Sequence, residues 1–241
     1  MDLLNEIKII YEDENFLAVN KPSGLVVHSD GKTDEPNLCD WILKNYSKLE
    51  NVGEQTKTSS GKIIKRPGIV HRLDRETSGV ILIAKNQETF LNLKNQFKNR
   101  EIKKIYKAFV YGEIKENHGT VNRPIGKNRK DFRQWSASDK ARGELREAIT
   151  EYKILARNKD FSFIEIYPKT GRTHQIRVHF KLINHPIVCD KLYAPKRGCA
   201  LGFGRLALHA FSIEFKNIEE IVFKIEASLP SDFEKALTFL K

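Results

Sequence analysis

The segment HRLDRETSG, at residues 71–79, is the most informative stretch of this chain. It places one carboxylate, Asp74, between Arg72 and Arg75, and an apolar run follows at residues 80–83. Such a run predicts a buried strand, with Asp74 in the loop that leads into it. Neighbouring arginines favour the ionised form of a carboxylate. The segment therefore predicts a charged Asp74 beside a polyanion, although a lone Asp here is also compatible with a turn residue.

The length and the net charge of the chain limit its possible domain organisation and its possible partners. The chain has 241 residues, of which 40% are hydrophobic, and this is compatible with one domain over residues 1–241. Forty-two Lys and Arg against 31 Asp and Glu give a net charge of +11, which favours a phosphate-rich partner. Lysine-rich chains also use such charge for solvation alone, so the positions of the arginines must decide.

Several classes of protein are disfavoured. No apolar stretch approaches the roughly 20 residues of a membrane span, and the N-terminus does not resemble a signal peptide, so we expect a cytoplasmic protein without a membrane partner. The three cysteines, Cys39, Cys189 and Cys199, match no zinc pattern, and their odd number argues against a disulfide framework. We expect buried free thiols, no metal and no cofactor.

The apolar pattern predicts a mixed α+β fold with a mainly antiparallel sheet flanked by helices and loops. Predicted strands cover residues 7–11, 16–19, 25–27, 80–84, 103–111, 149–156, 161–167, 206–215 and 221–225. Predicted helices cover residues 36–48, 87–100 and 175–182, and a closing helix follows Pro230, with Ser231 and Glu234 at capping-box spacing. Residues 50–68 are expected to form a polar loop, and residues 123–146 a long, exposed, basic connection.

Individual side chains leave alternatives open. Arg177, on the predicted helix after Gly171, can hold a phosphate or a carboxylate, or it can form a structural ion pair. Tyr106 alternates with buried-type residues on one strand, so the pattern alone favours a core aromatic. Three histidines are candidate bases, although a hydrogen-bonded structural histidine is the commoner case; these are His71, His174 and His179.

Several segments, in their order along the chain, resemble the RluA-type pseudouridine synthases, which isomerise uridine within RNA. The resemblance covers nearly the whole chain and rests on EDENFLAVNKPSG, HRLDRETSG, KKIYKAFVYG, YPKTGRTHQIRVHF, HPIVCDKLY and LALHA. The second and fourth segments in this order are far more specific than any single short motif.

The resemblance implies a central catalytic cleft and a role for each matching residue. Asp74 matches the catalytic aspartate, Tyr106 the aromatic that stacks on the target base, and Arg177 the basic residue that pairs with the catalytic carboxylate. Arg72 matches a residue that reaches into the RNA where the flipped base has left its stack. The Lys21-Pro22 pair matches a motif that we interpret as structural support.

The rearrangement of uridine needs no redox step and no external water, which agrees with the expected absence of a cofactor. Many members of this family carry an N-terminal RNA-binding module, but here the first predicted catalytic strand begins within ten residues, and no such module is expected. RNA binding is then expected from residues 123–146, with Lys127, Arg129, Lys130, Arg133 and Arg142. A merely solvated charged loop is the alternative.

Three functions compete. An isomerase acting on ribosomal or transfer RNA, working as a monomer, accounts for Asp74 and for the basic charge. A binding module for structured RNA accounts for the charge but not for the carboxylate between two arginines. A metal-assisted hydrolase needs a carboxylate cluster, and the sequence offers none.

Overall fold

The chain folds into two units. A computed structural model describes residues 2–29, 31, 33–57, 61, 63–138 and 141–240. Unit 1 comprises Met1–Lys103 with Ala210–Ser228, and unit 2 comprises Lys104–His209 with Leu229–Lys241. The expectation of one domain over residues 1–241 stays a prediction.

Strands dominate both units. In chain order the strands are β1 (Lys8–Glu12), β2 (Phe16–Lys21), β3 (Thr56–Lys57), β4 (Ile63–Ile64), β5 (Ser78–Ala84), β6 (Lys103–Tyr111), β7 (His118–Asn122), β8 (Ile125–Lys127), β9 (Trp135–Ser136), β10 (Arg142–Arg146), β11 (Ile149–Arg157), β12 (Phe161–Pro168), β13 (Leu208–Lys216) and β14 (Val222–Glu226). The helices are α1 (Leu38–Asn45), α2 (Gln87–Asn99), α3 (Gln175–Leu182) and α4 (Ser231–Leu237), with short 3-10 turns at Leu3–Glu6, Ser47–Asn51 and Thr238–Leu240. The predicted α+β class is confirmed, and every strand pair with a described register is antiparallel.

Unit 1 is built around β5. Its strand order is β1-β2-β5-β13, and β14 pairs with β13. Every residue of β5 is buried, which explains its continuous apolar sequence. Val19, Ile81 and Ile83 form a core with Leu38 and Ile42 of α1. This core fixes β5, the strand that follows the turn containing Asp74.

Unit 2 contains the antiparallel order β6-β12-β11-β7. Its core is rich in aromatic rings, because Phe109 on β6 packs against Phe163, Phe203 and Phe233 with centroid distances of 4.7, 5.4 and 5.6 Å. The fully buried Phe180 of α3 belongs to the same cluster. The core therefore anchors both the strand of Tyr106 and the helix of Arg177.

The basic region is an ordered element of unit 2, not an unstructured connection. Strands β8, β9 and β10 form a small antiparallel sheet in the order β10-β8-β9. Its base is apolar and includes the fully buried Ile125, whereas Phe132 is 90% exposed. We call residues 123–146 the basic arm; residues 139 and 140 lie outside the described residues.

Two local predictions are wrong, and one strand is missed. Residues 25–27 form no strand, because the carbonyls of Val26 and Val27 accept hydrogen bonds from the first backbone N–H groups of α1. The predicted capping box is absent, since α4 begins at Ser231 with Pro230 as its N-cap and has no side-chain cap. The sequence pattern does not reveal strand β7, because Val121 is its one buried residue and an edge strand of this kind shows no apolar alternation.

The cysteine prediction needs a correction. Cys189 and Cys199, ten residues apart, are joined as a disulfide. Sequence spacing does not indicate that the two residues approach each other in unit 2. Cys39 is a buried free thiol, and burial raises its pKa to about 12, so it is not a reactive nucleophile.

The described ranges contain neither a candidate membrane span nor a candidate metal cluster. None of the helices there combines the length and the apolar character needed to cross a bilayer. In the same ranges, no group of three or more His, Cys, Asp or Glu side chains is arranged to hold a metal ion.

Candidate functional site

Asp74 begins a tight turn in unit 1. The Thr77 N–H donates to the Asp74 carbonyl oxygen at 3.1 Å, and β5 starts at the next residue. The Asp74 side chain is half-buried. The predicted loop before a buried strand is confirmed. The Arg75 guanidinium also contacts the Glu35 carboxylate, a partner that the sequence does not indicate.

The turn is fixed by the segment KPSG at residues 21–24. The buried Lys21 amine donates to the carbonyl oxygens of Arg75 at 3.1 Å, Leu25 at 2.8 Å and Pro22 at 2.8 Å. The Gly24 N–H donates to the same Arg75 oxygen at 2.8 Å, and the Ser23 hydroxyl donates to the next carbonyl of the turn at 2.6 Å. Both central carbonyls of the turn are therefore held by one short segment.

The residues before the turn alternate in exposure. Leu73 is buried, and His71 stacks on the ring of Phe97 with centroids 4.8 Å apart. Arg72, which lies between these two residues, is exposed, and Asp74, which follows Leu73, is half-buried. This alternation presents a guanidinium and a carboxylate on the side opposite to the core, as an extended backbone does.

A second arginine adds positive charge near Arg72. Burial lowers the pKa of the Arg66 guanidinium, and the positive charge of Arg72 lowers it further. The Arg66 Nε is buried and has no hydrogen-bond partner among the described residues. Sequence analysis misses Arg66 because it lies in the segment that is predicted to be a polar loop. Its charge makes this part of unit 1 suitable for a phosphate.

Gly79, which closes the motif, permits a close approach of two strands. Its φ is +120°, and a Cβ at this position would lie 2.2 Å from the carbonyl oxygen of Ala210 on β13. A residue with a side chain would push β13 away from β5. Gly79 is therefore required by packing within unit 1.

Tyr106 lies on β6 in unit 2, opposite Ile166 of β12. It is partly buried and packs against the aromatic core, whereas Ala108 on the same strand is fully buried. Tyr106 is therefore not a fully enclosed core residue. Burial also lowers the pKa of the Lys104 amine, two residues earlier on this strand.

Arg177 of α3 forms a buried ion pair with Asp190. Its Nε and Nη2 donate to the two carboxylate oxygens of Asp190, each at 2.8 Å, and both side chains are almost completely inaccessible. The Asp190 Oδ1 also accepts the N–H groups of Leu192 and Tyr193 at 3.0 and 2.9 Å. The structural ion pair that the sequence leaves open for Arg177 is thus present. Sequence reasoning gives no role to Asp190.

Other polar residues of α3 hold the helix in place. The buried His179 ring contacts the Thr150 hydroxyl at 2.8 Å and the Arg123 carbonyl at 2.9 Å. The Gln175 amide donates to the Ile149 carbonyl and to the Thr150 hydroxyl. These contacts fix α3 against β11 and thereby fix the backbone of Arg177.

The three candidate bases are all hydrogen-bonded within the protein. The His71 Nε2 accepts the N–H of Leu82 at 2.9 Å, and His174 Nδ1 lies 2.9 Å from the Tyr193 hydroxyl. Burial lowers the pKa of His179, which favours its neutral form. These contacts give each of the three histidines a structural role.

The predicted site residues divide between the two units. Unit 1 holds Asp74 and Arg72 on one short segment, and unit 2 holds Tyr106 and Arg177 on a strand and a helix of one core. Within unit 2, Arg177 is joined to Asp190, and the identity of this partner is the main feature that the sequence does not predict.

Comparison with known proteins identifies similar chains. A family model described as RNA pseudouridylate synthase matches residues 15–182. An uncharacterized RNA pseudouridine synthase from Synechocystis is 36% identical over 237 residues, which cover 98% of this chain and 69% of that protein. The ribosomal large subunit pseudouridine synthase D of Pseudomonas aeruginosa is 34% identical over 98% of this chain and 72% of its own length.

Solved structures show a similar fold. Human RNA pseudouridylate synthase domain containing 4 matches with a TM-score of 0.73 at 23% identity, over 98% of this chain and 94% of its own. Human RNA pseudouridylate synthase domain containing 1 gives the same TM-score and identity, over 94% of this chain and 85% of its own.

Proposed function

The chain belongs to the RNA pseudouridine synthase family and is an isomerase of uridine in RNA, and we propose that its substrate is ribosomal RNA, with Asp74 as the catalytic residue. One observation carries the choice of substrate. Several relatives that match nearly the whole of this chain are named as ribosomal large subunit pseudouridine synthases, including those of Xylella fastidiosa and Pseudomonas aeruginosa.

The geometry of the turn supports the role of Asp74. Catalysis needs a carboxylate whose backbone does not move when the nucleotide binds, and the central carbonyls of this turn are held by Lys21, Ser23 and Gly24. The half-buried side chain is accessible enough to reach a sugar. Its ionised form can attack the ribose carbon or remove a ribose proton to give a glycal-like intermediate.

Arg72, Tyr106 and Arg177 are proposed to bind the target nucleotide. Flipping a base out of its stack costs a few kcal/mol, which an aromatic platform and an inserted side chain offset. Tyr106 is a suitable platform because it is only partly buried and its strand is fixed by the core, and stacking contributes about 1–3 kcal/mol per base. The exposed Arg72 is a suitable inserted side chain.

The basic arm is proposed to bind the phosphate backbone of the RNA. Arg129 and Lys130 are exposed at the turn between β8 and β9, beside the exposed ring of Phe132. Arg133 is a weaker candidate, because its guanidinium donates to both carboxylate oxygens of Asp131 at 3.0 and 2.8 Å. That contact lowers the pKa of Asp131 to about 2, so the pair stays charged at neutral pH.

A cytoplasmic location and a monomeric state stay predictions.

Mapping of pseudouridine tests the proposed substrate. RNA from cells that lack this protein is treated with a carbodiimide that marks pseudouridine, and marked sites are compared with those of cells that express the wild type or Asp74→Asn. We expect loss of one or more sites in large-subunit ribosomal RNA, restored by the wild type alone. Loss confined to transfer RNA would contradict the ribosomal substrate while leaving the family activity intact.

A further inference from the structure

Tyr193 makes more polar contacts than its position in the sequence suggests. It is 3% exposed, and its ring lies beneath two cations: the Arg177 Cζ is 5.0 Å and the Lys181 Nζ is 5.6 Å from the ring centroid. Its backbone N–H donates at 2.9 Å to the Asp190 oxygen that also accepts from Arg177. One residue therefore contacts both members of the buried ion pair.

The hydroxyl of the same residue contacts the N-terminus of α3. It lies 2.9 Å from His174 Nδ1, and the two rings pack edge to face with centroids 5.6 Å apart. His174 has a φ of +55° and caps the helix without a side-chain cap hydrogen bond. A left-handed backbone at a residue other than Gly persists only where its surroundings fix it. The hydroxyl of Tyr193 supplies one such contact, three residues before Arg177.

The basic arm is attached at the same place. The backbone N–H of Trp135 donates to the Tyr193 hydroxyl at 2.9 Å, and the side-chain amide of Gln134 donates to the Leu192 carbonyl at 2.9 Å. The apolar base of the arm packs on Tyr193 and on Val178 of α3. The first residue of β9 and the residue beside Arg177 thus share one small cluster in unit 2.

We propose that Tyr193 is a positioning residue that links the basic arm to Arg177: its hydroxyl holds the arm, and its ring holds the guanidinium. This inference rests on the proposed function, in which the arm binds RNA and Arg177 serves the reaction. The two parts of the side chain then have separable effects. Loss of the hydroxyl weakens RNA binding, whereas loss of the ring also slows the chemical step.

Two variants separate these effects in steady-state assays of tritium release from ribosomal RNA labelled at carbon 5 of uridine. Tyr193→Phe keeps the ring and should raise KM about fivefold with kcat within about twofold, since one hydroxyl hydrogen bond corresponds to about 1 kcal/mol. Tyr193→Leu removes the ring and should also lower kcat by about tenfold, as expected when a buried guanidinium no longer faces an aromatic ring. Tyr167→Phe removes a tyrosine hydrogen bond to Glu165 in the same unit and should leave both constants unchanged.

A spectroscopic measurement follows the arm without relying on activity. The chain has two tryptophans, so Trp41→Phe leaves Trp135 as the one tryptophan, which excitation at a wavelength that tyrosine does not absorb reports selectively. In that background, Tyr193→Phe should shift the Trp135 emission to the red before RNA is added, because Trp135 loses its anchor. Tyr167→Phe should leave the emission unchanged.

The outcomes distinguish this inference from the proposed function. Wild-type KM and wild-type Trp135 emission in Tyr193→Phe would overturn it. Equal losses in Tyr193→Phe and Tyr193→Leu that follow the folded fraction, measured by circular dichroism, would also overturn it. A wild type that releases no tritium from any RNA would instead contradict the proposed function, and the Trp135 emission would still decide whether Tyr193 anchors the arm.

Discussion

At the scale of single residues, the buried pair of Arg177 and Asp190 decides how the candidate site is built. Two charges removed from water gain stability only when their geometry and hydrogen bonds are nearly complete. Here the guanidinium donates twice to one carboxylate, and the carboxylate accepts two further backbone N–H groups. The pair therefore fixes one orientation of Arg177, and removal of either partner breaks a buried, doubly hydrogen-bonded ion pair.

Substitution of this pair separates its structural role from its functional role. Asp190→Asn should lower the free energy of unfolding by about 3–5 kcal/mol and abolish activity. The double variant Arg177→Met with Asp190→Leu should recover much of that stability, because neither charge of the pair remains. It should still show no tritium release. Urea unfolding and the release assay measure the two effects.

The partly exposed pair of Arg205 and Asp232 provides the control. Its guanidinium also donates twice to one carboxylate, at 2.7 and 2.8 Å. Arg205→Met with Asp232→Leu should leave kcat unchanged. Full activity in the Arg177→Met, Asp190→Leu variant would show that Arg177 is structural alone.

Some residues of the candidate site can be predicted from the sequence, and others cannot. Asp74 and Arg177 are identified by their place in specific motifs, and both lie on elements that the core fixes. Asp190 and Tyr193 are not identified, because their roles depend on a fold that brings residues 13 and 16 positions after Arg177 against its side chain. A pattern along the chain reports neighbours in sequence and does not report such contacts.

At the scale of elements, the turn at Asp74 depends on residues about 50 positions earlier. The Lys21 amine reaches the Arg75 carbonyl across 54 positions, and the Ser23 hydroxyl reaches the next carbonyl across 53. The sequence predicts structural support from Lys21 and Pro22, but not which groups receive it. Lys21 supports the turn through hydrogen bonds to three carbonyl oxygens.

Lys21→Met tests this support. The variant keeps the aliphatic chain and removes the charge-assisted hydrogen bonds, so we expect a loss of about 2–3 kcal/mol in unfolding free energy. We also expect a fall in kcat of about tenfold or more, because a small displacement of a catalytic group is costly. Lys94→Met, which removes an exposed lysine paired with Glu54, should change neither value. A destabilised but fully active Lys21→Met would remove the turn from the catalytic account.

The basic arm makes a separate prediction about salt dependence. Arg129→Gln with Lys130→Gln should reduce the slope of log affinity against log salt by about 0.7 for each phosphate of single-stranded RNA that these side chains neutralise. Lys153→Gln with Lys159→Gln, two exposed lysines of β11 and its hairpin, should leave the slope unchanged. Filter binding over a range of salt concentrations measures both slopes. Equal slopes in all three proteins would exclude the arm from the RNA interface.

Elements with a long periodic pattern are predicted well from the sequence, whereas short irregular elements are not. Helix α3 and strand β6 have the bounds that the sequence predicts, because each has a continuous pattern and a buried face. The sheet of the basic arm is predicted as an exposed connection, since its strands are short and its charged residues hide the apolar base. The disulfide between Cys189 and Cys199 is also missed, because the pairing of two cysteines depends on the fold and not on their spacing in sequence.

At the scale of the whole molecule, acid should destabilise the chain through His179. Burial lowers the pKa of this histidine below its ordinary value of 6.5, so the unfolded chain binds more protons just below that pH. The contribution of His179 is therefore complete above about pH 6.5 and decreases as the pH falls toward the lowered value.

His179→Gln measures this contribution, because glutamine keeps a hydrogen-bonding group but does not titrate in this range. The difference in unfolding free energy between wild type and variant should be largest above neutral pH and should shrink as the pH falls to about 5. Urea unfolding at several pH values gives the difference directly. A difference that stays constant or grows on acidification would contradict a neutral, buried His179.

We propose that the function of the whole molecule depends on the carboxylate of Asp74. The isomerisation breaks the bond between uracil and ribose and expels the hydrogen at carbon 5 of the base, so tritium release from RNA labelled at that position reports the reaction directly. We predict release by the wild type and by Asp160→Asn, an exposed control in unit 2, and no release by Asp74→Asn that still binds RNA. Release by Asp74→Asn at the wild-type rate would contradict the central claim that Asp74 carries the chemistry.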